Sequence, residues 1–305
     1  MLALSTSWQS GGSATAGQIL AALTQTGIKG IELSYRISEN LYQQMKRPLK
    51  RSGLKVVSVH NYFPIPSVKP VLEGSGDLFL LSSPQKEQRQ NAIRFTAKTI
   101  EHAADLGAAA VVLHGGAVEM NPEMQMLYQY FYSNQLHSED AQIFIHNKLK
   151  ELDSRKPRHM DILLASLERL VSVAEKHGVL LGLENRYHYH ELPGLDDFRV
   201  IFEKFKGAPI GYWHDPGHAH ANEILGLIRK NALLQNCADQ LIGVHRHDAV
   251  DLDDHIVPGS GEIDFEALKP FLKADTIKVI ELKPGIPASE VSDGIQFVKE
   301  ALFSR

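Results

Sequence analysis

Cysteine is nearly absent: Cys237 stands alone among 305 residues, so no internal disulfide can form. Nothing near it would activate a thiolate, and it is expected to be a small buried residue in or beside the helix after the sixth strand. No apolar run approaches the roughly 18 residues a membrane-spanning helix requires. The opening MLALSTSWQSGG lacks the basic-then-apolar order of a secretory signal. These absences lead to the expectation of a reducing, cytoplasmic setting. Surplus positive charge is missing as well. The 32 Lys and Arg against 36 Asp and Glu give a net charge of −4, which argues against broad attachment to nucleic acid. No low-complexity tract or tandem repeat interrupts the chain.

Histidine, by contrast, is plentiful at 15 residues, and many of these follow short apolar runs directly. Eight such runs, rich in Val, Ile or Leu, cover residues 2–7, 30–34, 55–60, 109–114, 179–184, 210–214, 241–245 and 276–281. Helical periodicity occupies 15–26, 39–52, 85–106, 160–177, 195–206, 223–230, 265–271 and 288–303. Gly27, Gly53, Gly107 and Gly178 each stand between a helix and a strand, where a left-handed cap would end the helix. The alternation describes β-α units around a parallel sheet. No Gly-rich phosphate loop follows the first strand, and the reactive residues are spread over many strand ends. Both features predict an α/β fold closed into a single (β/α)8 TIM barrel, one domain over 1–305, rather than a doubly wound sheet.

Two connections are long for such a fold. Residues 61–84 hold Pro64, Pro66, Pro70 and a GSGD turn at 74–77. Residues 115–157 form an inserted helical segment after strand 4, with an aromatic stretch, LYQYFY, at 127–132 and a further helix near 138–152. Both follow strands and therefore belong at the C-terminal mouth, where loops build or cover a site. The aromatic stretch either packs the insertion or forms a substrate lid or a contact in a homo-oligomer.

The strand ends repeat one chemistry: His60, His114, Glu184, Asp215, His245 and Glu281. Imidazole and carboxylate suit zinc, manganese, iron, cobalt or magnesium to different degrees. Any one of the six has a structural explanation, but three carboxylates converging in a barrel mouth would repel, and a cation is the simplest remedy. His218, three residues beyond Asp215, is a further candidate. Asp253 and His255 form an Asp-x-His pair that serves either a second ion, a substrate oxygen or only an acidic surface loop. Past Glu184, Asn185 is placed to orient a neighbour, and Arg186 and His188 to contact substrate. Lys283 either contacts substrate or forms a structural ion pair.

LEN at 183–185, DPGH at 215–218, VHRHD at 244–248, DDHIVPGSGEID at 253–264 and IELKP at 280–284 resemble, in order and strand position, the xylose isomerase-like barrel superfamily. That superfamily includes sugar isomerases, ketose 3-epimerases, inosose dehydratase-like proteins and the endonuclease IV class. The resemblance covers most of the chain. Its epimerase and isomerase members imply one divalent ion (Zn, Mn, Co or Mg) held by Glu184, Asp215, His245 and Glu281, with His218 on substrate hydroxyls. They also imply a small carbohydrate substrate, phosphorylated or not, isomerised or epimerised through a metal-stabilised enediolate, with Glu184 and Glu281 as acid and base. The endonuclease IV class implies instead a trinuclear-zinc phosphodiesterase, whose added ligands match His60, His114, His218, Asp253 and His255. The 115–157 insertion departs from the compact nuclease pattern, and no basic stripe for phosphate contacts is present.

Overall fold

A computed structural model describes residues 1–68 and 73–303, so Pro70 of the first long loop lies outside the described residues. Eight parallel strands close a barrel: β1 (Leu2–Ser5), β2 (Gly30–Leu33), β3 (Lys55–His60), β4 (Ala110–Leu113), β5 (Leu180–Glu184), β6 (Ile210–His214), β7 (Leu241–Arg246) and β8 (Ile277–Ile280). Each pairs with its sequence neighbours, and β8 returns to β1. This is the TIM barrel that the apolar runs predict. Gly27, Gly53, Gly107 and Gly178 all take positive φ after their helices, where a Cβ would be strained.

The helices around it are α1 (Ala16–Gln25), α2 (Glu39–Ser52), α3 (Lys86–Asp105), α4 (Met124–Tyr132), α5 (Glu139–His177), α6 (Leu195–Lys204), α7 (Pro216–Ile224), α8 (Ala232–Cys237), α9 (Phe265–Leu268) and α10 (Ala288–Phe303). Among the described residues no helix is long and apolar enough to cross a membrane. Two expected boundaries change. The helices predicted at 138–152 and 160–177 are one 39-residue helix, α5, that runs through Pro157. An interior proline costs about 3 kcal/mol; burial of Leu152, Met160 and Leu163 on either side holds the helix together. The helix predicted at 223–230 overlaps only the end of α7 (Pro216–Ile224), and α8 begins after it at Ala232. Asp215 caps α7, its side chain accepting the His218 N–H, and Pro216 opens the first turn. The DPGH motif is thus a strand end joined to a helix start.

Inside the barrel the packing is organised by one large ring. Trp213 on β6 is fully buried against Ala3, Ala110, Val112 and Val279. Gly182 and Gly243 flank it and leave no room for a Cβ: one added at Gly182 would come within 2.8 Å of the indole. The larger core fills the layer between strands and helices, with Leu4, Ile31, Val59, Val111, Leu181 and Leu183 meeting Ile19, Ile100, Leu163 and Phe198. Cys237 is buried, and its burial pushes the thiol up to about 12, which makes it inert.

Candidate metal centre

Parallel strands deliver their C-terminal ends to a single mouth. Glu184, the last residue of β5, is its hub. Its Oε2 lies 2.8 Å from His114 Nε2 and 3.4 Å from His60 Nε2, and its Oε1 lies 2.6 Å from His245 Nδ1. The same His245 nitrogen is 3.2 Å from Glu281 Oε2 and 3.5 Å from Asp215 Oδ2. One donor atom from each of Glu184, Asp215, His245 and Glu281 lies within 4.8 Å of the others, all four residues being buried. The same spacing holds for His60, His114 and Glu184, for His218, Asp254 and His255, and for Asp215, His247 and His255.

The hydrogen bonds of the rings test whether these sets fit a cation. A metal-binding imidazole offers one nitrogen and gives the N–H of the other to an oxygen. His60 Nδ1 faces the Asn61 carbonyl at 3.0 Å, His114 Nδ1 faces Asp77 Oδ2 at 3.0 Å, and His218 Nδ1 faces the Asn185 carbonyl at 2.9 Å. In each ring Nε2 is left for the mouth. His245 is reversed: Nε2 faces Glu32, at 3.3 Å from Oε1, and Nδ1 faces the carboxylates. His247 Nδ1 meets two partners, the His255 backbone N–H at 2.9 Å and the Asp248 carbonyl at 3.3 Å, and its Nε2 faces Asp215 Oδ2 at 2.9 Å. His255 keeps a buried Nδ1 with no hydrogen-bond partner among the described residues.

Charge points the same way. Four carboxylates, Glu32, Glu184, Asp215 and Glu281, are buried around His245. Burial raises the Glu281 carboxyl, and repulsion from Glu32 and Glu184 adds to it against the pull of His245. Glu184 moves the other way: burial is outweighed by His245, His114 and His60, and it stays well below the usual carboxylate range. Burial and the neighbouring His247 hold His255 well below the ordinary imidazole value, so it is a neutral donor. The donors therefore fit a divalent cation: the tetrad is oxygen-rich, and the His60–His114 set is richer in nitrogen and suits zinc.

Not every expected residue lands in the mouth. Asp253 is turned to Lys283, whose Nζ reaches both of its oxygens at 2.7 Å, and Asp254 joins His218 and His255 in its place. Lys283 is thereby in an exposed ion pair. Arg186 is buried between Asp77, 2.8 Å away, and Glu191, 3.3 Å away, and His188 also faces Glu191 at 3.3 Å. Glu32, Asp77 and Asp254 belong to the centre without having been picked out from the sequence. A charged residue inside the apolar run at 30–34 was the available signal for Glu32. Beside His218, the Tyr187 hydroxyl donates to the Leu252 carbonyl at 2.6 Å, with Tyr128 of α4 near it. The Tyr187 ring stands edge-on to His218.

Asn185 braces the tetrad from behind. Its Oδ1 accepts the Asp215 N–H at 2.7 Å and the Tyr212 hydroxyl at 3.0 Å, and its Nδ2 donates to the Asp215 carbonyl at 2.9 Å. Asn185→Ala strands these buried groups and is expected to cost about 1–3 kcal/mol, read as a lower urea midpoint at unchanged slope. A loss within error would mean that Asp215 is held by other contacts.

A family model described as xylose isomerase-like TIM barrel matches residues 20–301. An uncharacterized protein of Sinorhizobium fredii is 26% identical over 251 residues, which cover 79% of this chain and 70% of that protein. Among solved structures, apo 3-keto-D-glucoside 4-epimerase from E. coli superposes with a TM-score of 0.67 at 20% identity over 98% of both chains. A D-tagatose 3-epimerase-like protein superposes with a TM-score of 0.67 at 19% identity over 99% of this chain and 96% of the other. At such identities the two structures demonstrate a common fold.

Proposed function

Because the chain belongs to the xylose isomerase-like TIM barrel family, we propose that it is a divalent-metal-dependent isomerase or epimerase of a sugar or sugar phosphate. The observation that carries this reading is the buried convergence of Glu184, Asp215, His245 and Glu281. Those four residues would hold the principal ion (Zn, Mn, Co or Mg), and His60 and His114 with Glu184 would hold a second. Such an ion acts as a Lewis acid toward a carbonyl and its neighbouring hydroxyl.

The protein's own groups supply the proton transfers. Glu184 removes the proton from the carbon beside the carbonyl, Glu281 returns one from the other side, and His218 hydrogen-bonds substrate hydroxyls. The fold neighbours support a carbohydrate, since one is named for a 3-keto-glucoside and the other for tagatose. Tyr128 and Tyr187 beside the centre suit a small ring better than a polyanion.

In deuterium oxide, free ketoses, their phosphates and 3-keto-glucosides are expected to lose the proton signal of the carbon beside the carbonyl. Chelation should stop that exchange and manganese, cobalt or zinc restore it. A panel showing neither exchange nor interconversion with any of these ions would sink the reading. The three further donor sets favour a second reading, a zinc phosphodiesterase of the endonuclease IV type. Incision of an abasic-site duplex, abolished by His255→Ala, is the outcome that would select it.

A further inference from the structure

The turn at residues 74–77 is far from any barrel strand in sequence, yet it lies against two of the candidate ligands. A Cβ on Gly76 would stand 2.6 Å from His114 Cε1, 2.8 Å from His114 Nδ1 and 3.2 Å from His60 Cε1, so the bare backbone of this glycine rests on both rings. One residue on, Asp77 Oδ2 faces His114 Nδ1 at 3.0 Å and accepts from Arg186 Nη2 at 2.8 Å. The Asp77 N–H in turn donates to Ser75 Oγ at 3.0 Å, which fixes the turn on itself. The same Arg186 Nη2 lies 3.3 Å from Glu191 Oε1, and Arg186 directly follows Asn185, the brace of Asp215.

We propose that this turn is the positioning element of the second cation site: Asp77 accepts a hydrogen bond from His114 Nδ1–H and so leaves Nε2 as the ligand atom, while Gly76 fixes the planes of His114 and His60. The inference rests on the reading of His60, His114 and Glu184 as a cation site. A neutral imidazole carries one N–H, and the nitrogen without it is the one that can bind a metal. Asp77 makes that choice for His114, and Arg186, itself clamped by Glu191, holds the Asp77 carboxylate on the ring. Outer partners of this kind set the affinity of a ligand they never replace. Asp77 contacts His114 and Arg186 and none of the four tetrad residues. It is therefore a positioning residue.

The test is calorimetric titration of the chelator-treated, full-length protein with zinc(II), together with the visible spectrum after loading with cobalt(II). Wild type is expected to bind at two or more steps, one of them lost in His114→Ala. Asp77→Ala should weaken that same step by about 10–100-fold, change the cobalt absorption and leave the tightest step as in wild type. Asp77→Asn keeps an acceptor oxygen and should recover most of the loss. Gly76→Ala, which pushes the His114 ring aside without removing a polar group, should weaken the step too. If His114→Ala removes an ion and both turn variants titrate as wild type, the positioning role is overturned and the cation site stands. If His114→Ala removes none, the cation site itself is overturned and the inference falls with it.

Discussion

Glu184→Gln is expected to lower the rate of carbon-proton exchange by about 10²–10⁴-fold at saturating metal, the range a positioned general base contributes. No other side chain can take its place. Among the described residues, only its two oxygens touch His60, His114 and His245 together. The amide keeps the shape of the carboxyl and loses its basicity. Saturating metal matters because Glu184 is also a proposed ligand, so metal content per chain must be measured beside the rate. Glu281→Gln provides the companion reading. Exchange out of the substrate should survive there better than net interconversion, because the base is intact and the returning acid is gone. Equal retention of both activities in Glu184→Gln would end the proposed proton transfer.

How much of this centre was legible in the sequence depends on how each residue reaches it. Residues at strand ends were legible because a closed parallel barrel brings all of them to one place; His60, Glu184, Asp215, His245 and Glu281 meet there. Glu32 was not, because it lies within β2, and only the barrel closure shows that its side chain faces His245. Asp253 and His255 form an Asp-x-His pair in a loop, where spacing alone does not fix which neighbour shares a side; His255 adopts a φ of 54°, in the left-handed region, and Asp254 accompanies it. Asp77 meets His114 from 37 residues away through a loop with no periodicity to read. The helix boundaries failed for a local reason. Pro157 reads as a break and Asp215 as a strand-end ligand, whereas burial overrides the first and the second doubles as a helix cap.

The largest stability effect should come from beneath the centre. Trp213→Ala is expected to cost about 3–5 kcal/mol, a fifth or more of the roughly 5–15 kcal/mol that holds a folded domain together. The ring is the widest object in the barrel interior, and its neighbours Ala3, Ala110, Gly182 and Gly243 are too small to close over the space it leaves. A residue added from the other side does equal harm: a Cβ on Gly243 would fall within the indole, so Gly243→Ala must displace the ring or the strand. The indole also stands 5.3 Å from the His245 ring, centre to centre, as the floor on which that ligand rests. Loss of the floor should therefore weaken the tetrad's cation affinity in protein that is still folded, which separates Trp213 from the core residues outside the barrel wall. Trp213→Phe, which leaves part of the ring, should lose less on both counts. Urea unfolding and cation titration of the two variants read these effects independently. A cost below about 1 kcal/mol for the alanine variant, well under the large-to-small range, would mean that the strands collapse onto the space and that the interior is not built around this side chain.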